Sequence, residues 1–228
     1  DITFTLKPDE ILAIVGPSGC GKSTLFNVIA GLQPATVGEV FVNGTRVLDA
    51  KGQVGYMLQQ DMLLPWRSVR DNVGLGLEIK GVPSDERKAV ADRLIAAYGL
   101  KGFEESKPGT LSGGMRQRVA FMRTLALDPD VILLDEPFSA LDFQTRTLLQ
   151  AEVLDIISKQ RKSAILVTHD IGEAVTMADR VMILSRRPGR IKRIVDIDLQ
   201  REERDPVKLR SNARYQDYFQ LLWSELDI

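Results

Sequence analysis

The chain has 228 residues, and 30 Lys and Arg against 31 Asp and Glu give a formal net charge of −1 with histidine neutral. With 44% hydrophobic and 27% charged residues, the composition is typical of one globular domain and excludes a disordered or collagen-like chain. The single cysteine, Cys20, excludes an internal disulfide, and the near-neutral charge argues against a nucleic-acid partner. The longest charge-free run, 23–38, is too short to span a bilayer, so we expect any membrane contact to be made through a partner.

Short apolar runs alternate with helical patterns along most of the chain. The runs interpreted as strands are 11–15, two short pieces of 39–47 joined by Asn43-Gly44, 54–59, 131–135, 164–169 and 180–185. The helices predicted beside them are 22–30, 143–160 and 171–178. Continuous apolar strands are typical of a sheet covered on both faces. The pattern therefore predicts an α/β fold with a mainly parallel central sheet and a small antiparallel part.

The stretch 66–128 differs because it contains no clear strand. Its patterns predict helices at about 69–80, 85–98 and 113–127, with Ser84 capping the second. We interpret 66–128 as a helical lobe inserted into a core formed by 1–65 and 129–200, within a single domain over 1–228.

Two further elements are predicted after Ser185. The segment 189–199 is interpreted as an edge hairpin, and the basic residues over 186–193 as a solvated face. Asp205-Pro206 predicts the start of a last helix, within 205–228, that runs to about Leu226.

The segment GPSGCGKS at 16–23 fits the phosphate-loop pattern G-x-x-x-x-G-K-[ST] between a predicted strand and a predicted helix. Glycines let backbone amides converge on an anion, and the helix N-terminus adds partial positive charge. Lys22 supplies a full charge for the β- and γ-phosphates, Ser23 a hydroxyl for Mg²⁺, and Thr24 reaches the α-phosphate. The predicted nucleotide-binding residues here are Gly16, Pro17, Ser18, Gly19, Cys20, Gly21, Lys22, Ser23 and Thr24.

A second motif, VILLDEP at 131–137, is an apolar run that ends in two carboxylates. Asp135 falls at the carboxyl end of the predicted strand, where α/β sheets bind ligands, and can hold Mg²⁺ directly or through water. Glu136 follows it and can act as general base toward an attacking water. A strand end with two solvated acids is the alternative, and the nearby phosphate loop argues against it.

Four further segments complete a set of motifs: LSGGMRQR at 111–118, SALD at 139–142, Gln59 after an apolar run, and THD at 168–170. With the phosphate loop and the acidic strand, they occur in the order found in the ATP-binding cassette family. Over nearly its whole length, the chain resembles the ATPase subunits of ABC transporters. The resemblance implies a P-loop ATPase fold of the ABC type that binds ATP and Mg²⁺.

The resemblance assigns LSGG at 111–114 to the family's signature motif. Ser112 and the amides of Gly113 and Gly114 provide a second anion site at the start of a helix. In the family, the signature closes on ATP held by the phosphate loop of a second cassette. The implied assembly is a head-to-tail dimer, which we expect to be a homodimer, with two buried ATP molecules.

The remaining motifs are assigned by position. Gln59 would be the residue that contacts Mg²⁺ and water, and Asp142 would link the two sites across the dimer interface. His169, the only histidine in the chain, would contact the γ-phosphate and position Glu136.

A finer likeness concerns 63–73, 137–146 and 176–191, which resemble the branch that imports nitrate, sulfonates, taurine, bicarbonate or vitamin precursors. The implied partners are transmembrane permease subunits and, indirectly, an extracytoplasmic solute-binding protein. The implied location of the cassette is the cytoplasmic face of the inner membrane, to which it would bind peripherally.

Apolar residues just after Gln59, including Met62 and Trp66, are interpreted either as local core or as a groove for a permease helix.

Two alternatives are a cassette ATPase that acts on chromosomes or ribosomes and a nucleotide-binding regulator without catalysis. Fewer than a hundred residues separate Lys22 from Ser112, which argues against the long coiled coil of chromosome-type relatives. Glu136 and His169 together argue against the regulator.

Family members usually carry an adenine-stacking aromatic residue on a strand well before the phosphate loop. Since Phe4 is the sole aromatic residue before Gly16 and is expected in the core, we expect that strand to be missing from this chain.

Overall fold

The computed structural model describes residues 2–48 and 54–226. The strands are Ile11–Val15 (β1), Phe41–Val42 (β2), Thr45–Arg46 (β3), Val54–Met57 (β4), Val131–Asp135 (β5), Ser163–Val167 (β6), Arg180–Leu184 (β7) and Ile191–Asp196 (β8). The α-helices are Lys22–Ile29 (α1), Val69–Val73 (α2), Leu75–Ile79 (α3), Ser84–Ala97 (α4), Gly113–Leu125 (α5), Phe143–Lys159 (α6), Ile171–Met177 (α7) and Ala213–Glu225 (α8). Short 3₁₀ turns lie at Pro108–Thr110, Arg201–Glu203 and Lys208–Ser211.

The main sheet has the strand order β4-β5-β6-β1-β7-β8 among the described residues. Neighbouring strands run parallel from β4 to β7, and only the edge strand β8 pairs antiparallel, with β7. The Asn43-Gly44 turn joins β2 to β3 in a separate antiparallel hairpin. The predicted fold class, a mainly parallel sheet with a small antiparallel part and helices, is confirmed.

The central strand β1 is buried on both faces, and its side chains divide between two cores. Ile11, Ala13 and Val15 join the cluster formed with helices α4 to α8. Leu12 and Ile14 point the opposite way and pack with Phe26 and Ile29 of α1. This period of two is the geometry of a strand, and covering both faces explains why the run is continuously apolar.

The parallel arrangement places the carboxyl ends of four strands on one edge of the sheet. The phosphate loop follows β1, Glu136 follows β5, and His169 lies two residues after β6. Gln59 lies two residues beyond β4, which ends at Met57 and is shorter than the predicted strand over 54–59. Ligands bind α/β sheets at this edge.

Only helices and turns lie between β4 and β5, and two of their predicted details are wrong. The predicted helix over 69–80 is two helices that meet at Gly74, which ends α2 and begins α3. A glycine inside a helix costs about 1 kcal/mol relative to alanine, which favours a break there. Ser84 is the first residue of α4 and not its cap, because Pro83 holds the capping position without a side-chain hydrogen bond.

The last helix begins later than predicted. The Asp205 side chain accepts hydrogen bonds from the amides of Val207 (2.9 Å) and Lys208 (3.1 Å), so Asp205-Pro206 forms a turn. A 3₁₀ turn at Lys208–Ser211 follows, and the Asn212 side chain then caps α8 by accepting from the Arg214 amide at 2.9 Å. The prediction failed because an aspartate before proline can serve a turn as well as a helix start.

Candidate active site

The phosphate loop joins β1 to α1 and adopts a backbone that requires glycine. Gly19 and Gly21 have φ angles of 76° and 108°, in the left-handed region that other residues avoid. Lys22 is 9% exposed, and its ammonium group donates to the carbonyl oxygens of Gly16 (2.8 Å) and Pro17 (3.1 Å). These bonds hold a cation inside the loop, where the resemblance expects the β- and γ-phosphates.

A cleft of about 520 Å³ opens beside this loop. Its lining residues are Val15, Gly16, Pro17, Ser18, His169, Arg186, Arg187 and Leu226. The turn between β7 and β8 forms one wall and packs so tightly that a Cβ at Gly189 would lie 2.2 Å from the Cys20 carbonyl oxygen. Arg186 and Arg187 are exposed, as expected for the predicted solvated face, and they also line the cleft.

Asp135 ends β5 with its carboxylate buried beneath the phosphate loop. It is 7% exposed and accepts a hydrogen bond from the Tyr56 hydroxyl at 3.3 Å. Burial raises the pKa of Asp135, although hydrogen bonds from Tyr56 and Ser23 oppose the rise. Burial and the charge of Asp135 likewise raise the pKa of Tyr56, so that its hydroxyl remains a donor.

Glu136 is held by its backbone as well as by its side chain. Its φ of 45° is left-handed, a conformation that costs a non-glycine residue about 1–3 kcal/mol and is often found at functional sites. Its amide donates to the Val167 carbonyl at 2.9 Å, and its own carbonyl accepts from the Ser139 hydroxyl at 3.0 Å. These bonds fix the carboxylate direction at the junction of β5 and β6.

Three of the predicted site residues meet at the Glu136 carboxylate. Gln59 donates through Nε2 to Glu136 Oε2 at 3.1 Å, and His169 Nδ1 lies 3.2 Å from the same oxygen. The Glu136 side chain is 21% exposed and that of His169 65% exposed. An amide, a carboxylate and an imidazole from three strand ends thus share one solvent-accessible point.

The signature segment and Asp142 lie elsewhere in the chain's own structure. Ser112 caps α5 by accepting from the Met115 amide at 3.3 Å, and Gly113 and Gly114 form the first helical turn. Asp142 caps α6 by accepting from the Thr145 amide at 3.1 Å, and bonds from Thr145 lower the pKa of Asp142. None of these residues lines the cleft.

The oxygen donors at Asp135 fit a magnesium ion. Ser23 bonds to Asp135, and both offer the hard oxygen ligands that Mg²⁺ prefers, as does the amide oxygen of Gln59. Within 2–48 and 54–226 no group of three or more His, Cys, Asp or Glu forms a metal cluster. Mg²⁺ is commonly bound by one or two carboxylates together with substrate phosphates, which this donor set allows.

Two polar residues near the site gave no signal in the sequence. Tyr56 reads as an ordinary β-strand aromatic residue, yet its hydroxyl contacts Asp135. Glu173 reads as a solvated acid in a short helix, yet it is 6% exposed and accepts from the Thr168 hydroxyl at 3.0 Å. Burial raises the pKa of Glu173 to about 8. The burial of Glu173 results from the packing of α7 against the sheet, which the sequence pattern does not report.

Comparison with known proteins places this site in a family. A family model described as ABC transporter matches residues 1–139, more than half of the chain. The chain belongs to the ABC transporter family.

Curated relatives cover nearly the whole cassette. An uncharacterised ABC transporter ATP-binding protein of Methanocaldococcus jannaschii is 51% identical over 201 residues, covering 88% of this chain and 75% of the relative. The aliphatic sulfonates import ATP-binding protein SsuB 2 of Burkholderia cenocepacia is 43% identical, covering 96% and 81%. The taurine import ATP-binding protein TauB of Roseobacter denitrificans is 40% identical, covering 98% and 85%.

Solved structures agree with the sheet and helix arrangement. A dimeric structure of the cassette MJ0796, in a post-hydrolysis state bound to ADP and phosphate, superposes with a TM-score of 0.76. It is 31% identical and covers 88% of this chain and 90% of that one. The cassette therefore has the ABC ATPase fold, binds ATP and hydrolyses it. Within the part of the chain that the structure describes, no helix is long and apolar enough to cross a membrane.

Proposed function

We propose that this cassette is the ATP-hydrolysing subunit of a bacterial importer for a small anionic or vitamin-like solute. It works as one half of a homodimer bound to permease subunits at the cytoplasmic face of the inner membrane. The observation that supports this most is the meeting of Gln59, Glu136 and His169 after a phosphate loop, while Ser112 caps α5 and bonds to Met115.

Binding of the triphosphate is assigned to the phosphate loop. Backbone amides of the loop and the N-terminus of α1 contact the phosphates, and Lys22 exchanges its carbonyl partners for the β- and γ-phosphate oxygens. Ser23, Asp135 and Gln59 would hold Mg²⁺, which neutralises phosphate charge when bound.

Hydrolysis is assigned to Glu136 as general base. Its carboxylate takes one proton from a water molecule as the water oxygen bonds to the γ-phosphorus and the bond to the β-phosphate oxygen breaks, which gives ADP and phosphate. His169 at 3.2 Å and Gln59 at 3.1 Å orient the accepting oxygen, Glu136 Oε2. The bonded backbone of Glu136 limits its movement during this transfer.

The dimer supplies what one chain's cleft does not contain. Ser112 caps the N-terminus of α5, and that helix end suits the γ-phosphate held by a second cassette. ATP then joins two copies, and loss of the γ-phosphate separates them. Asp142 is placed at the same interface.

The transport role is supported by relatives named for sulfonate and taurine import. The apolar residues around Gln59 divide between the two interpretations. Met57 and Leu63 are buried in the core, whereas Met62 is 57% and Trp66 70% exposed. Met62 and Trp66 suit an apolar permease helix, through which the cassette acts on a solute delivered by a binding protein.

The hydrolysis assignment is tested by Glu136→Gln, with Glu152→Gln as the matched control. Glu152 pairs with Arg118 on the helices and is outside the site. We expect Glu136→Gln to lower the steady-state ATPase rate about 10²–10⁴-fold, the range for losing a general base, and Glu152→Gln to leave it near wild type. Normal hydrolysis by Glu136→Gln contradicts the assignment.

The transport assignment is tested in proteoliposomes that contain the cassette, its permease and the solute-binding protein. We expect ATP-dependent uptake of radiolabelled taurine or an alkanesulfonate, abolished by Glu136→Gln. Hydrolysis without uptake of any small anion or vitamin precursor would refute the import proposal while leaving the ATPase intact.

A further inference from the structure

One guanidinium group spans the two loops on either side of the candidate site. Arg146, on α6, donates through Nη2 to the Leu141 carbonyl at 2.9 Å. Its Nη1 lies 3.5 Å from Asp170 Oδ2, and the Arg146 side chain is 30% exposed. Leu141 immediately precedes Asp142, and Asp170 immediately follows His169. Arg146 therefore touches a direct neighbour of each predicted site residue.

The Asp170 end of this contact is rigidly tied to the backbone around His169. The Asp170 side chain caps α7 by accepting from the Glu173 amide at 3.1 Å, and the Asp170 amide donates to the Thr168 hydroxyl at 3.0 Å. Thr168 in turn donates to Glu173 at 3.0 Å. His169 thus lies between two residues that are fixed to the start of one helix, so a displacement of Asp170 displaces the imidazole.

Two buried polar atoms in this region have no hydrogen-bond partner among the described residues, Arg146 Nε and Glu173 Oε1. Arg146 Nε is a donor, and the charge of Arg146 acts on Glu173. An unpaired buried donor is unfavourable, so Arg146 Nε gains from a movement that brings it to an acceptor. Such a site is suited to a shift of the guanidinium between two positions.

We propose that Arg146 is a positioning residue that couples the 139–142 loop to His169 through Asp170. This rests on the proposed function, since it acts through the contact of His169 with Glu136. When a second cassette presses on Asp142, the Leu141 carbonyl moves and Arg146 carries that movement to Asp170. Hydrolysis is thereby favoured only while the partner is engaged. A merely structural ion pair at 3.5 Å would be weak and would not need the second bond to the loop.

The test compares three variants of the full chain in the assembled transporter. Arg146→Met keeps the length of the side chain but removes both contacts. Arg146→Lys keeps the positive charge but not the guanidinium group that makes two contacts at once. Asp170→Asn keeps an oxygen that can cap α7. We expect Arg146→Met to lower kcat about tenfold or more, within the roughly hundredfold loss that a misplaced group can cause, with KM for ATP unchanged within about twofold. Arg146→Lys restores part of kcat, and the Arg146→Met/Asp170→Asn double variant is no slower than Arg146→Met alone.

The control is Arg118→Met, which breaks a two-point ion pair with Glu152 at 2.7 and 3.0 Å on the neighbouring helices. Its side chain is 25% exposed, close to that of Arg146. Because His169 is the only histidine, its imidazole gives one unambiguous NMR signal. We expect Arg146→Met and Asp170→Asn to shift that signal and Arg118→Met to leave it unchanged.

Glu136→Gln, assayed in parallel, distinguishes a failure of the catalytic assignment of Glu136 from a failure of the coupling proposed for Arg146. If Glu136→Gln abolishes hydrolysis while Arg146→Met keeps wild-type kcat, or loses no more than Arg118→Met, the coupling proposal is refuted and the catalytic assignment remains. If Glu136→Gln hydrolyses normally, the catalytic assignment is wrong and the coupling proposal is refuted with it. A loss of kcat confined to Arg146→Met, with a shifted imidazole signal, supports the coupling.

Discussion

Glu173 shows how strongly packing alters the chemistry of one side chain. It lies at the base of α7 and is 6% exposed, and burial raises its pKa from 4.5 to about 8. The Thr168 hydroxyl and the charge of Arg146 oppose the rise, and the charge of Asp170 adds to it. Because Thr168 directly precedes His169, the protonation of Glu173 bears on the segment that carries the imidazole.

Changing Glu173 to Gln removes this titration while keeping an acceptor for Thr168. The folded chain retains the Glu173 proton between pH 4.5 and about 8, where the unfolded chain loses it. The stability from this group is thus complete below about pH 4.5 and is lost as the pH rises to about 8. We expect the free energy of unfolding of Glu173→Gln, measured with urea, to rise relative to wild type across this window. A difference that does not change with pH would contradict the buried state of Glu173.

At the residue scale, the motifs predicted side chains whose chemistry depends on local spacing. Lys22 and Ser23 follow from the phosphate-loop pattern, and Asp135 and Glu136 from an apolar strand that ends in acids. Tyr56 did not follow, because its role depends on the pairing of β4 with β5, which brings its hydroxyl to Asp135. Long-range pairing leaves no trace in a short pattern.

At the element scale, the start of α5 depends on close packing against α6. A Cβ at Gly114 would lie 2.5 Å from Thr145 Cγ2, whereas the nearest atom to a Cβ at Gly113 is Leu141 Cδ2 at 3.7 Å. The signature segment is therefore seated on the helix that Asp142 caps. Close packing thus requires glycine at position 114, whereas the space beside Gly113 could hold a side chain.

Gly114→Ala should destabilise the fold by about 1–3 kcal/mol, the cost of overpacking, as measured by denaturant unfolding. The Thr145→Ser change removes the obstructing methyl group, so the double variant should recover most of the loss. Gly113→Ala is the matched control and should be neutral or gain at most about 1 kcal/mol from helix propensity. Wild-type stability of Gly114→Ala, or no recovery in the double variant, would show that α5 and α6 are not packed this closely.

A helix or strand was predictable where its sequence pattern fits only one kind of structure. It was not predictable where the same pattern fits two. Strands β1, β5, β6 and β7 match the predicted runs to within two residues at each end, since a buried parallel strand is continuously apolar. Asp205-Pro206 suits both a turn and a helix start, and the structure has the turn, in which Asp205 accepts from two backbone amides. The break at Gly74 was missed because the helical periodicity was followed across a glycine, which is unfavourable inside a helix.

At the scale of the whole molecule, the predicted site residues fall into two groups within one chain. Gln59, Glu136 and His169 meet at the edge of the sheet, whereas Ser112 and Asp142 cap helices away from the cleft. The sequence predicted both halves of the site from their motifs. In the fold, Ser112 and Asp142 bond to the first turns of their own helices, which leaves those helix ends for a second copy.

The most direct test of the proposed dimer is the solution mass of Glu136→Gln in saturating Mg-ATP, measured by light scattering after size exclusion. We expect roughly twice the chain mass of 25.4 kDa with Mg-ATP and the single-chain mass without nucleotide. Adding Ser112→Arg blocks the signature helix end but not the phosphate loop, so that variant should bind ATP and remain single. A single-chain mass for Glu136→Gln with ATP bound, or equal dimerisation of the Ser112→Arg form, would contradict the shared site.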